Sequence, residues 1–214
     1  MNIQGVIFDM DGLMFDTENL TYRLQHELLA EKGLEYPFEW YKTTVGKRSE
    51  DIVGMFRDFF GERLDYESFR VECRSAYESY TDKYGVPIKD GLFELLDFLR
   101  EKGIKNALAT STTRRSAERT LRIAGVIDYF DELVGADDVS RGKPFPDPFL
   151  KAAEKLGLSP ESCLSLEDSL NGIKSAHAAG TIPVMIPDII PPTEEIRPLC
   201  FRICGGLKDV IEII

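Results

Sequence analysis

The pattern of this 214-residue chain predicts an α/β protein: a parallel sheet, with a helical bundle inserted after the first strand. Three observations carry that reading. A short apolar run, Val6-Ile7-Phe8, leads straight into Asp9, Asp11 and Gly12. From about residue 17 to residue 84 the apolar residues recur only at helical spacing. Beyond Gly85-Val86-Pro87, helix and strand patterns alternate, as a parallel sheet with right-handed crossovers requires.

Val6 to Phe8 reads as a buried strand that ends where turn-forming residues begin. Asp16-Thr17-Glu18 is a helix start with acid in the first turn. Leu20, Leu24, Leu28 and Leu29 continue that helix until Gly33. Ile52, Met55, Phe56, Phe59 and Phe60 mark a second amphipathic helix, and Phe69, Cys73, Tyr77 and Tyr80 a third. After the return come a helix over 91–102, a strand at 107–109, a helix over 116–124 and a strand at 132–135. A helix over 146–156, a strand at 163–166, a helix over 170–179 and a strand at 182–186 follow. The tail beyond Pro191-Pro192 predicts a short strand near 201–204 and a last helix. The expected division is a discontinuous core of residues 1–16 and 86–214, with the insert at 17–85.

Hydrophobic residues make up 43% and charged residues 29% of the chain, which places it among soluble globular proteins. The net charge of −11 argues against a nucleic-acid partner, which normally meets a basic face. A small phosphorylated ligand stays compatible, because local charge can oppose the global balance. No apolar run approaches the length of a membrane span, and the N-terminus enters a strand without a signal-peptide pattern. The expected address is the cytoplasm, with no membrane partner. Cys73, Cys163, Cys200 and Cys204 lack a C-x-x-C pair and read as small core residues. Oligomeric state is not legible in the sequence, and a monomer is compatible with it.

In an open parallel sheet, ligands bind outside the carboxyl ends of the strands. Four signals fall there: Asp9-x-Asp11-Gly12; Thr110-Ser111; Lys143 in Arg-Gly-Lys-Pro-Phe-Pro-Asp; and Glu167-Asp168 followed by Ser169, Asn171 and Gly172. Each alone is common text, such as a solvated acid pair or a helix cap. Together they supply what phosphoryl transfer needs. A carboxylate can serve as nucleophile and a second as general acid and base. Hydroxyls and a lysine can hold phosphate oxygens. Two carboxylates two residues apart repel each other, and a hard divalent ion such as Mg²⁺ would offset that repulsion.

With these motifs in hand, the sequence resembles the haloacid dehalogenase superfamily, in its phosphatase and β-phosphoglucomutase-like branch. The resemblance runs over essentially the whole chain. Asp9-Met-Asp11-Gly12-Leu13-Met-Phe-Asp16-Thr17-Glu18 is similar to the first family motif. Thr110 stands for the second, Lys143-Pro144-x-Pro146-Asp147 for the third and Glu167-Asp168-Ser169 for the fourth. What it implies is a Rossmann-like three-layer core with an inserted α-helical cap domain. By that resemblance Asp9 is the nucleophile and Asp11 the acid/base. Mg²⁺ is the cofactor, held by Asp9, the Asp11 carbonyl and Asp168, with Glu167 in an outer shell or acting through water. Thr110, Ser111 and Lys143 hold the phosphoryl oxygens, while Ser169 and Asn171 orient the groups around them. Lys47 and Arg48, in the loop Gly46-Lys47-Arg48-Ser49, are the expected substrate contacts of the cap. Cap closure about hinges near 13–17 and 84–87 is expected to complete the site. Lys83 and Lys89 read as ordinary surface cations.

The implied activity is Mg²⁺-dependent hydrolysis of a small phosphorylated metabolite, a sugar or polyol phosphate, through an aspartyl-phosphate. The runner-up is a β-phosphoglucomutase-type mutase. Those mutases carry a histidine four residues after the threonine of the first motif, where this chain has Thr21. A metal-free dehalogenase would not need Asp11, and phosphonate cleavage would ask Lys47 to act as a Schiff-base amine. The non-enzyme alternative is a binding module on the same scaffold. Drift to such a role usually damages the chemical residues, and Asp9, Asp11, Lys143 and Asp168 are all present.

Overall fold

The structure, a computed structural model, describes residues 2–47 and 49–214. In chain order the main elements are β1 (Gly5–Phe8), α1 (Thr17–Glu31), α2 (Phe38–Lys42), α3 (Ser49–Phe60), α4 (Tyr66–Tyr84) and α5 (Leu92–Lys102). They continue as β2 (Lys105–Ala109), α6 (Arg114–Ile123), β3 (Glu132–Val134), α7 (Asp147–Leu156), β4 (Cys163–Glu167), α8 (Leu170–Ala178), β5 (Ile182–Met185) and β6 (Arg202–Ile203). The chain forms two compact units, Met1–Asp16 with Ile88–Ile214, and Thr17–Pro87.

The first unit is built on one parallel six-stranded sheet in the order β3-β2-β1-β4-β5-β6. The chain lays down β2 and β3 on one side of β1, then crosses to β4, β5 and β6 on the other. β1 therefore sits at the switch point, where the loops leaving β1 and β4 diverge and leave a crevice at their carboxyl ends. Register pairs Ile7 with Ala107 and with Ser165. On the face that these residues share, small side chains let α7 approach closely. Ile7, Ala107, Ala109 and Val134 pack there with Phe149, Ala152, Ala153 and Leu156 of α7 and Ala176 of α8. The alternate residues Phe8, Leu108, Leu164 and Leu166 are fully buried on the other face. α5 packs against β2 through its stripe of Leu92, Leu95, Leu96 and Leu99, all 0% exposed. Sheet and helices thus form the three-layer α/β arrangement.

The second unit is all-helical among its described residues. α1 packs along α4, and an aromatic cluster fills the space beside them. Tyr36 lies within 6.2 Å, centroid to centroid, of Tyr22, Trp40, Tyr41, Phe56 and Phe60. The Tyr41 hydroxyl donates to the Glu18 carbonyl at 3.0 Å, fastening α2 to the first turn of α1. α2 had no helical signal of its own. It is a single turn after Pro37, whose carbonyl accepts from the N–H groups of Trp40 and Tyr41.

The expected last helix is a 3₁₀ segment, Leu207–Glu212. Its two buried side chains, Leu207 and Val210, are three apart, a spacing that a three-residue turn places on one face. No described helix is long and apolar enough to cross a membrane.

Candidate active site

Asp9 is the first residue past β1, and its N–H donates to the Leu166 carbonyl at 3.0 Å. That bond carries the β1–β4 pairing one step further and sets Asp9 beside Glu167, the last residue of β4. Glu167 is itself held by the Ile186 N–H, which donates to its carbonyl at 2.7 Å. Asp168 follows directly. The carboxylates of Asp9, Glu167 and Asp168 are all buried, with one oxygen from each lying within 4.8 Å of the others.

Lys143 enters this cluster from the β3–α7 loop. Its ammonium donates to Asp9 Oδ1 and, at 2.5 Å, to Glu167 Oε1, and its side chain is 6% exposed. The loop around it is pinned from outside. Arg141 forms a two-pronged contact with Asp147, at 3.2 and 3.0 Å, and the Ser175 hydroxyl donates to the Phe145 carbonyl at 2.5 Å. Ser169 donates through its hydroxyl to Glu167 Oε2 at 3.1 Å, then caps α8 by accepting from the Gly172 N–H. Glu167 is thus occupied on both oxygens.

Two glycines make room for these acids. A methyl group on Gly172 would lie 1.8 Å from Glu167 Cδ. Gly12 has φ +80°, and a side chain there would begin 2.3 Å from Asp168 Oδ2 and 3.3 Å from Asp188 Oδ2. A glycine therefore meets a conformational and a steric demand at once.

Burial pushes the Asp9 carboxyl up, Lys143 opposes it, and Glu167 and Asp11 add to the rise, to about 8. Burial works against the Lys143 ammonium, but Asp9 and Glu167 outweigh it and hold Lys143 above its ordinary range. Three buried carboxylates and one lysine leave an excess of negative charge. The donors are all hard oxygens in a compact group, which fits a divalent cation of the Mg²⁺ type. With Glu167 engaged by Lys143 and Ser169, the oxygens best suited to such an ion belong to Asp9 and Asp168.

Asp11 is not among these three grouped acids, though it lies near enough to add to the rise at Asp9. It is half-buried, and its Oδ2 accepts from the Thr112 hydroxyl at 2.9 Å. Thr110, just past β2, is buried, and its Oγ1 accepts from the Thr112 N–H at 3.1 Å. Ser111, between them, is exposed. Asn171 lies in the first turn of α8. In the helical unit, Lys47 is exposed, and Arg48 lies outside the described residues.

Three contributors were not singled out in the sequence. Thr112 lies two residues past Thr110, the only signal that pointed to it. Lys89, read as a surface cation, is partly buried instead and bonds Asp188, with Asp16 3.3 Å away. Asp188 lies three residues beyond β5 in a proline-rich tail that offered no pattern.

Comparison with known proteins adds four findings. Residues 6–186 match the model of the haloacid dehalogenase-like hydrolases. A phosphorylated carbohydrates phosphatase of Thermotoga maritima is 32% identical over 180 residues, covering 83% of this chain and 82% of that protein. The (DL)-glycerol-3-phosphatase 1, mitochondrial, of Arabidopsis thaliana is 32% identical over 198 residues, covering 87% and 65%. Among solved structures, a β-phosphoglucomutase of Clostridium difficile superposes with a TM-score of 0.77 at 22% identity. The match covers 97% of this chain and 93% of that one, and is a likeness of fold.

Proposed function

This chain belongs to the haloacid dehalogenase-like hydrolase family, and from that premise we propose that it is a Mg²⁺-dependent phosphatase. Its proposed substrate is a small phosphorylated metabolite, a sugar or polyol phosphate, hydrolysed through an aspartyl-phosphate. One observation carries the reading: two carboxylates two residues apart have been given opposite environments. Asp9 is buried against Lys143 and the acids of β4, whereas Asp11 is half-buried and oriented by a hydroxyl. Acid pairs separated in this way divide the work of nucleophile and proton carrier.

In the first step an Asp9 carboxylate oxygen attacks phosphorus and the ester oxygen departs, taking a proton from Asp11. In the second, water attacks the same phosphorus, gives its proton to Asp11 and releases phosphate, which restores Asp9. Thr110, Ser111 and Lys143 hold the phosphoryl oxygens. Asp9, the Asp11 carbonyl and Asp168 would hold Mg²⁺, with Glu167 outside them, and Ser169 and Asn171 as supports. The ion supplies electrostatic stabilisation of the charge that builds on the transferring group. Lys47 and Arg48 are the proposed contacts to a second polar group of the substrate. The names of the Thermotoga and Arabidopsis relatives, a phosphorylated carbohydrates phosphatase and a glycerol-3-phosphatase, support that substrate class. Thr21, where the mutases of the family carry histidine, supports water rather than a second sugar hydroxyl as acceptor.

The test is turnover of a generic phosphomonoester by wild type and Asp9→Asn, with and without Mg²⁺, followed by a panel of phosphorylated sugars and polyols. Equal activity of the two proteins would reject Asp9 as nucleophile. Conversion of β-glucose 1-phosphate to glucose 6-phosphate, with a trace of bisphosphate and no free phosphate, would replace hydrolysis by the mutase reaction.

A further inference from the structure

Asp188 lies outside the four strand-end motifs, yet it shares a wall with the proposed cation site. Its side chain is 8% exposed. One oxygen, Oδ1, accepts from the Lys89 ammonium. Lys89 is in turn fixed by its own N–H, which donates to the Met14 carbonyl at 2.9 Å, and by Asp16 at 3.3 Å. The other oxygen, Oδ2, is buried and has no hydrogen-bond partner.

That oxygen is not aimed at random. It and Asp168 Oδ2 lie beside the same point, 3.3 and 2.3 Å from where a side chain on Gly12 would begin. An ionised oxygen taken out of water without a donor is costly, so its partner is expected to be a group that the polypeptide does not provide. The Gly12 α-carbon, which carries no side chain, keeps the space between the two acids open. Water molecules in the shell of a hard divalent ion are strong donors, and outer carboxylates commonly accept from them.

We propose that Asp188 is a positioning residue for the cation, accepting through Oδ2 from a water molecule of the ion's shell, while its Oδ1 stays with Lys89. The inference rests on the reading that Asp9 and Asp168 bind Mg²⁺. It adds an acid from the far side of the crevice, beyond β5, to those contributed by β1 and β4.

The test is calorimetric titration of MgCl₂ into the intact protein at one pH, with thermal melts in the presence and absence of Mg²⁺, for wild type, Asp188→Asn and Lys89→Met. Asp188→Asn is expected to weaken Mg²⁺ about tenfold or more, in the range usual for residues behind a metal's ligands. Lys89→Met keeps the Asp188 charge and is expected to leave Mg²⁺ binding as tight or tighter. If Asp188 served only as the structural partner of Lys89, both variants would weaken binding alike, and that result overturns the proposal. Unchanged affinity in Asp188→Asn overturns it too, while leaving the cation reading intact. Absence of Mg²⁺ binding in wild type removes both. Should Asp188→Asn lack a cooperative melt, Asp188→Glu, which keeps the charge and displaces the carboxylate, takes its place with the same expected loss.

Discussion

Thr112 donates a hydrogen bond of 2.9 Å to Asp11, joining the loop after β2 to the loop after β1 across 101 positions of the chain. The contact sets the direction of the proposed acid/base. Proton transfer to a leaving oxygen is sensitive to such placement, because the carboxyl must be within hydrogen-bond reach of that oxygen. Thr112→Val, which keeps the shape and removes the hydroxyl, is expected to lower kcat about tenfold with little change in KM. Thr112→Ser should restore most of the loss. Steady-state kinetics on a phosphomonoester would decide the matter, and wild-type kcat in Thr112→Val would strip the residue of its role.

Glycine substitutions separate space that the site needs from space that is merely unused. Alanine at 172 would bring a methyl group to 1.8 Å from Glu167 Cδ, and neither a buried carboxylate held by Lys143 nor the first turn of α8 can yield that far. Overpacking of this kind costs about 1–3 kcal/mol even where the surroundings relax. Gly172→Ala is therefore expected to lower Tm by at least several degrees, on the scale of about 2–4 °C per kcal/mol for a chain of this size. Gly54, inside α3, has nothing within 4 Å of an added methyl. Gly54→Ala should raise stability by roughly 0.5–1 kcal/mol through helix propensity alone. Thermal melts of the two variants should move in opposite directions.

Features set by local pattern were legible in the sequence, and features set by which loops meet were not. Asp9 and Asp168 were legible because a buried strand announces its own end, and four signals fell together at such ends. The alternation of helix and strand revealed the parallel sheet for the same reason, since each period is local. Thr112, Lys89 and Asp188 depend on which loops meet across the sheet, and no local pattern encodes that. Lys89 looked like any hinge cation until Asp188 came up against it from the opposite end of the chain. The short α2 was missed, and the expected last helix took a 3₁₀ form, because their few residues take shape from a proline and from two buried side chains, not from a run of helical periodicity.

Lys143 offers a prediction about folding as well as turnover. It touches both Asp9 and Glu167, so Lys143→Met leaves two buried carboxylates without their cation. Breaking a buried pair by removing one partner costs about 3–5 kcal/mol. The variant is expected to be strongly destabilised near neutral pH without a divalent ion. It should lose less below pH 8, where Asp9 carries a proton in the folded chain. Urea melts at pH 5 and pH 8 would show this as a larger gap between wild type and variant at the higher pH. An equal gap at both would mean that the ammonium is not balancing these acids.

Cation binding itself should depend on pH, and the direction follows from Asp9. Without a divalent ion its folded-state value is raised to about 8, above the ordinary carboxylate range, chiefly by burial. Between about pH 4 and pH 8 the folded chain thus holds a proton there that the unfolded chain has released, and stability falls as pH rises through that window. Lys143, held above its ordinary range, stays charged throughout and does not alter the sign. A divalent ion needs the carboxylate, so binding below pH 8 must expel the proton. Mg²⁺ affinity is expected to climb by up to tenfold per pH unit between about 6 and 8 and to level off above. Titration at pH 6.5 in two buffers of different ionisation enthalpy should reveal release of close to one proton per ion. Mg²⁺ should also raise Tm more at pH 8 than at pH 6. A flat affinity profile with no proton release would mean that Asp9 is already ionised without the metal.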